Sequence, residues 1–225
     1  MIVDYANVKG LNQGQFYEEV TNKKQIVLHH TVSDAKSEVG DIAWWNSNAE
    51  RVGAHFIITS DGRVTQTIDT KFWIHHLGIS LPGNKVESKH KLTNVIRNQQ
   101  SIGIELDSAG GLTRVNGVWR SSFGTTIADD RVEVYPLGYG GYHGFEKYSD
   151  GQLLSCRRLL ETLCVFYKIP LKCAVSEWRA IFDICNSALI GVPGIYTHTS
   201  YRTDKSDCHP SVGLMKMLEA SVAVP

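Results

Sequence analysis

The segment Ile195–Ser211, IYTHTSYRTDKSDCHPS, places His198, Asp204, Lys205, Asp207, Cys208 and His209 in one short span with almost no helical pattern. Imidazoles, carboxylates and thiolates are the ligands a zinc ion takes. A zinc that performs hydrolysis uses three of them and keeps one position for water. Two imidazoles with one carboxylate or thiolate make up such a set and leave the ion Lewis-acidic. In this segment Asp207 and Cys208 compete for one coordination position, and the rest of the set has to come from elsewhere in the chain.

Other chemistry-bearing residues fall at the ends of apolar runs, where α/β proteins usually place their sites. His29 and His30 follow Ile26-Val27-Leu28, Glu105 lies within SIGIEL (101–106), and His198 follows IYT. Ligands about 170 residues apart are compatible with one site, because a sheet brings distant strand ends together. The chain has no HExxH, no GxSxG and no serine or cysteine nucleophile motif. Its glycine-rich stretch does not follow a strand and open a helix, as a phosphate-binding turn requires.

Strands and helices must position these groups. QIVLHH (25–30) predicts a buried strand with a polar end. Ile42, Trp44, Trp45 and Ala49 have roughly helical spacing over 36–50. AHFIITS (54–60) and RVTQTID (63–69) flank Asp61-Gly62 and predict a hairpin, since glycine supplies positive φ. SIGIELDS (101–108) predicts another strand, and LTRVNGVWR (112–120) a second hairpin around Asn116-Gly117. Residues 121–148 show no sustained period and read as a long surface insertion. Ser149-Asp-Gly-Gln152 has capping-box form and introduces an amphipathic helix through Leu153, Leu160, Leu163 and Tyr167, ended by Pro170. A further helix is expected from Ser176 to Leu189, capped by Gly191, and a short docking helix after Pro210. Strands mixed with helices give a mixed sheet flanked by helices.

A chain of 225 residues can bury one sizeable core. Lys+Arg and Asp+Glu are equal at 23 each, so no net charge draws nucleic acid or an anionic membrane. Five cysteines without a CxxC pair fit reduced thiols in the cytoplasm better than a disulfide framework. The first residues show neither a basic start nor an apolar run, so no secretory signal is expected. No apolar run reaches the roughly 18 residues of a membrane span. The tryptophans Trp44, Trp45, Trp73 and Trp178 read as core aromatics, with Trp73 best placed for a cleft. His55 reads as a structural hydrogen-bonding residue, and the helical cysteines as small hydrophobes.

IVLHHT, VGAHFIITSDGRVTQTI, IHHLG, SIGIEL and YTH followed nine residues later by the Asp of KSD occur in this order. Together they resemble the zinc-dependent N-acetylmuramoyl-L-alanine amidases of the type-2 family. That family includes phage lysozyme-like amidases, muropeptide-recycling amidases and peptidoglycan recognition proteins. The resemblance spans roughly residues 25–210. It implies a single α/β domain with a central mixed sheet flanked by helices, an N-terminal extension at 1–24, and the insertion at about 121–148 within a catalytic domain at 25–225.

The resemblance also implies site roles. His29, His198 and Asp207 would hold Zn2+, with Lys205 two positions before the third ligand and Cys208 the other candidate for it. Glu105 would be the carboxylate base, in agreement with Ala54 standing where another branch of the family has a tyrosine. Glu105 would take a proton from the attacking water and return it to the leaving amine, and Lys205 would help stabilise the oxyanion. His76 would line the cleft and help hold the substrate, with His75 pointing the other way.

The expected substrate is peptidoglycan or a muropeptide, cut between N-acetylmuramic acid and L-alanine. The expected setting is a phage endolysin made in the cytoplasm and acting on the wall. A cytoplasmic recycling amidase and a non-catalytic peptidoglycan-binding module are the other readings.

Overall fold

The apolar run that stops at two histidines becomes the second strand of the main sheet. In the computed structural model, which describes residues 10–33, 37–79, 88–171, 175 and 177–221, this strand is β1 (Gln25–His30), buried along its whole length. After it come α1 (Glu38–Ser47), β2 (Phe56–Ile58), β3 (Val64–Gln66), α2 (Ser88–Gln99) and β4 (Ser101–Leu106). Next are β5 (Gly111–Val115), β6 (Val118–Arg120), β7 (Thr126–Ile127), β8 (Val132–Tyr139) and β9 (Tyr142–Glu146). The chain continues through α3 (Asp150–Tyr167), α4 (Asn186–Ile190), β10 (Gly194–Thr197) and α5 (Val212–Ser221).

The main sheet has the order β10-β1-β4-β2-β3. Its ladders are parallel except for the β2–β3 hairpin, so the sheet is mixed, as expected. Strands buried on both faces read as continuous apolar runs, which is why QIVLHH shows no alternation. α3 packs the main core through Leu153, Cys156, Leu160 and Leu163, joined by Leu214 and Leu218 of α5. A smaller cluster on the side of α1 contains Ile42, Trp45, Ala54, Ile57 and Ile74.

Both predicted hairpins form. Gly62 turns β2 into β3 at φ 86°, and Asn116 and Gly117 join β5 to β6 with φ 51° and 81°, the pair of positive values a tight two-residue turn needs. Ser149 caps α3, its Oγ accepting from the Gln152 amide at 3.0 Å. The reciprocal half of the box is absent. Gln152 Nε2 instead donates to the carbonyls of Ile58 and Asp107, tying the helix to the sheet.

Three expectations change. Residues 126–146 are not irregular: β7, β8 and β9 join β5 and β6 in a second sheet of order β7-β6-β5-β9-β8. This sheet has its own small core of Ala109, Leu112, Trp119, Ile127 and Val132. The helix expected over 176–189 is broken, with a 3-10 turn at Trp178–Phe182, extended backbone at Asp183, and α4 only afterwards. The predicted start at Ser176 and the helical position of Cys173 lie outside the described residues. Finally, α2 occupies a stretch in which no element was expected.

Residues 10–24 pack on the domain: the Leu11 amide bonds the Thr67 carbonyl, and Tyr17 stacks on Trp73 with centroids 3.8 Å apart. Cys156, Cys164, Cys185 and Cys208 are free and buried, and no helix among the described residues is long and apolar enough to cross a membrane.

Lys23 is buried, with Nζ donating to the carbonyls of Phe72 at 2.7 Å and Gln99 at 3.0 Å. Burial pushes its pKa down from 10.5 to about 7. Between these values the unfolded chain holds a proton the folded one lacks, so this group makes stability rise with pH, by about 1.4 kcal/mol per unit at most. The difference in unfolding free energy between the wild type and Lys23→Met is therefore expected to grow from pH 7.5 to 9.5 in denaturant titrations. A difference that stays flat would remove burial as the cause.

Candidate active site

In the parallel ladders His29 is paired with Glu105, and Leu28 with Thr197. Paired residues of neighbouring parallel strands present their side chains on the same face, so His29 and Glu105 point together. His198 arrives one residue beyond β10. Ile57, paired with Glu105 from the other side, packs with Ile42 and Trp45, which identifies this as the face covered by α1.

Asp207 comes from the loop after β10, held by the Thr199 amide donating to its carbonyl at 3.2 Å. The tip of the β8–β9 hairpin backs this loop. A Cβ on Gly140, whose φ is 52°, would lie 2.5 Å from Ser206 Cβ, so only glycine permits the approach.

The three side chains converge. Asp207 Oδ2 lies 2.9 Å from His198 Nδ1 and 3.3 Å from His29 Nδ1. One donor atom from each residue falls within 4.8 Å of the other two, and all three residues are buried. Two ligands at zinc distance around a tetrahedral ion are about 3.3 Å apart, so the spacing suits such an ion. The opposite ring nitrogens are engaged: His198 Nε2 with the Leu77 carbonyl at 2.8 Å, and His29 Nε2 with His76 Nδ1 at 3.0 Å. The donor set and its anchoring therefore fit a metal.

Burial, with the neighbouring His198 adding to it, lowers the His29 pKa to about 4, leaving a neutral imidazole able to offer a lone pair. Burial also holds His76 well below the ordinary histidine value. For Asp207 burial works upward, but the close approach of His198 and His29 outweighs it and keeps the carboxyl well below its usual range. Glu105 moves the other way. Burial raises it well above the normal glutamate value, and Asp207 and Asp41 add to the rise. Its Oε2 has no hydrogen-bond partner among the described residues.

A cavity of about 880 Å3 opens onto this cluster and is lined by His29, His76, Glu105, His198, Lys205 and Asp207. Its outer wall includes Trp44 and Phe123, 58% and 70% exposed. Trp44 is thus a cleft residue and not a core aromatic. Trp73, expected to have the best access, is buried against Tyr17, with Nε1 donating to Glu19.

Cys208, the other candidate for the third ligand, is fully buried in the main core. His30 Nδ1 bonds the Tyr148 hydroxyl at 3.0 Å, and His209 is stacked between Phe145 and Tyr148. His55 accepts from the Gly103 amide and bonds the Phe72 carbonyl through its other nitrogen, a structural arrangement. His76 lines the cavity, as expected, with Nδ1 facing His29 at 3.0 Å and Nε2 bonding Ser101 Oγ at 2.7 Å, so both ring nitrogens are engaged within the protein.

The family model described as N-acetylmuramoyl-L-alanine amidase matches residues 20–210. The chain belongs to the N-acetylmuramoyl-L-alanine amidase family. It is accordingly an amidase, and its fold is the family's. Among solved structures, PlyL superposes with a TM-score of 0.51 at 15% identity, covering 95% of this chain and 94% of the other. The catalytic domain of XlyA gives 0.51 at 14% identity over 95% and 96% of the two chains. A mutant endolysin from Bacillus subtilis gives the same values. No curated protein matches the amidase sequence significantly.

Proposed function

We propose that this amidase is zinc-dependent, cuts the bond between N-acetylmuramic acid and L-alanine in polymeric peptidoglycan, and serves as an endolysin. The observation that carries the reading is the meeting of two imidazole Nδ1 atoms and one carboxylate oxygen at a buried point beside Glu105, at the base of an open cavity. His29, His198 and Asp207 would hold the ion, which when bound supplies Lewis acidity toward water and the scissile carbonyl.

Glu105 handles the proton. It lines the cavity with its Oε2 unpartnered among the described residues, and there it can take a proton from the attacking water and pass it to the departing L-alanine nitrogen. Lys205 brings a positive charge to the same cavity, as the oxyanion of the tetrahedral intermediate requires. The wide mouth with Trp44 and Phe123 on its wall suits a polymer strand, since aromatic faces bury the apolar faces of sugars and peptides. A Bacillus subtilis protein of the same fold is an endolysin. In this role the enzyme would be made in the cytoplasm and act on the wall.

The test is mass spectrometry of purified sacculi digested by the enzyme, with and without a chelator. Free stem peptides with intact glycan are expected, lost on chelation and restored by Zn2+. Activity that persists after the metal is removed would end the zinc reading. Intact sacculi alongside cleaved soluble muropeptides would replace the endolysin role with a recycling one.

A further inference from the structure

The hydrogen bonds behind the two histidines form a directed chain whose proton positions can be worked out from its far end. Ser101 Oγ donates its one hydrogen to the Arg97 carbonyl at 2.7 Å. At His76 Nε2 it can therefore only accept, so Nε2 carries the ring proton and His76 Nδ1 presents a lone pair. That lone pair faces His29 Nε2 at 3.0 Å and calls for a proton there, which assigns His29 Nδ1, 3.3 Å from the Asp207 oxygen, to the ion once one is bound. The next residue does the same for the other histidine. The Leu77 carbonyl accepts from His198 Nε2, assigning His198 Nδ1, beside the same oxygen, to the ion in the same way.

One side chain secures both residues. Asn98 Oδ1 accepts from the His76 amide at 2.8 Å and the Leu77 amide at 3.2 Å, while its Nδ2 donates to the Asn94 carbonyl at 2.7 Å. Asn98 is fully buried, so it serves no solvent-facing purpose. The sheet leaves room for the His76 ring through Gly103, where a Cβ would come within 3.0 Å of His76 Nδ1.

We propose that His76-Leu77, bolted by Asn98 and directed by Ser101, fixes the tautomer and orientation of both histidines and so sets the enzyme's affinity for its metal. His76 is then a positioning residue and not a substrate-holding one. The proposal rests on the zinc reading above. Partners that orient metal-bound histidines typically change metal affinity by about 10–100-fold when removed.

The test is the Zn2+ dissociation constant of the full chain, measured by competition with a chromophoric chelator, together with the melting temperature of the metal-free protein. Ser101→Ala and His76→Phe are each expected to weaken Zn2+ binding about 10–100-fold, with Ser101→Thr restoring it because the hydroxyl is kept. Wild-type affinity in both variants, with only a lower melting temperature, would show that the chain is merely structural and overturn the proposal. A wild type that binds no Zn2+ would sink the zinc reading and the proposal together.

Should a variant fail to fold, 15N spectra of the Zn2+-loaded wild type decide. Protons on Nε2 of both His29 and His198 are expected, and ligation through Nε2 of either, with the proton on Nδ1, would contradict the chain.

Discussion

Glu105→Gln is expected to lower amide hydrolysis by about 10²–10⁴-fold with Zn2+ content unchanged, because it removes the proton acceptor and nothing that binds the ion. Glu105 is paired with His29 across the β1–β4 ladder, so the sheet itself sets the distance between the proposed base and the proposed metal ligand. The carboxamide has nearly the same shape, which makes the substitution a test of protonation chemistry and not of packing. It carries a second, opposite expectation. Burial, Asp207 and Asp41 all oppose ionisation of Glu105, so the wild-type carboxylate is costly when no metal is bound. The metal-free variant should therefore melt at a higher temperature than the metal-free wild type, a trade of stability for activity common at active sites. Near-wild-type turnover by Glu105→Gln would require a different base.

The next largest effect separates two adjacent residues. Asp207→Asn should abolish tight Zn2+ binding and hydrolysis together, since it takes the one carboxylate from the His29–His198 cluster. Cys208→Ala should bind Zn2+ and turn over normally, and cost about 1 kcal/mol of stability, comparable to deleting one buried methyl group. Metal analysis with denaturant unfolding distinguishes the pair. Loss of metal in Cys208→Ala with retention in Asp207→Asn would invert the assignment. The burial of Cys208 in the main core is the physical ground for the expected outcome.

The residues that meet at the site, His29, His198, Asp207 and Glu105, were legible in the sequence because most sit where apolar strands end, and strands that must be buried are hard to misread. β1 has the bounds that QIVLHH marks, and both Gly-containing turns form where they were expected. The partners behind the site were not legible. Asn98 and Ser101 are small polar residues in and just after a helix of weak pattern, and their role exists only once the segment at 76–77 is laid beside them.

Trp44 was misread although a signal was present. Adjacent helical positions point about 100° apart, and Trp45 shares the Ile42 side, so Trp44 has to turn elsewhere. The broken helix at 176–189 had the right period, with Trp178, Ile181, Cys185 and Ala188 all buried. Tertiary contacts overrode it. The Ile181 carbonyl accepts from the hydroxyls of Thr197, Thr199 and Ser200, while the Cys185 amide goes to the Ser200 carbonyl. These bonds hold the segment that carries His198. In the insertion, where no sustained period was visible, Pro136 lies on β8, an edge strand, where a missing donor is tolerated.

The strand order bears on how the chain is made. β1 holds His29, the first of the proposed ligands, but one of its two neighbours, β10, leaves the ribosome more than 160 residues later. Until then the growing chain carries an apolar strand with an open edge, the kind of surface that favours aggregation during synthesis. The same delay keeps His29 apart from His198 and Asp207, so the nascent amidase cannot complete its site before nearly all of its sheet exists. Assembly of the catalytic centre and closure of the last edge of β1 are a single late event.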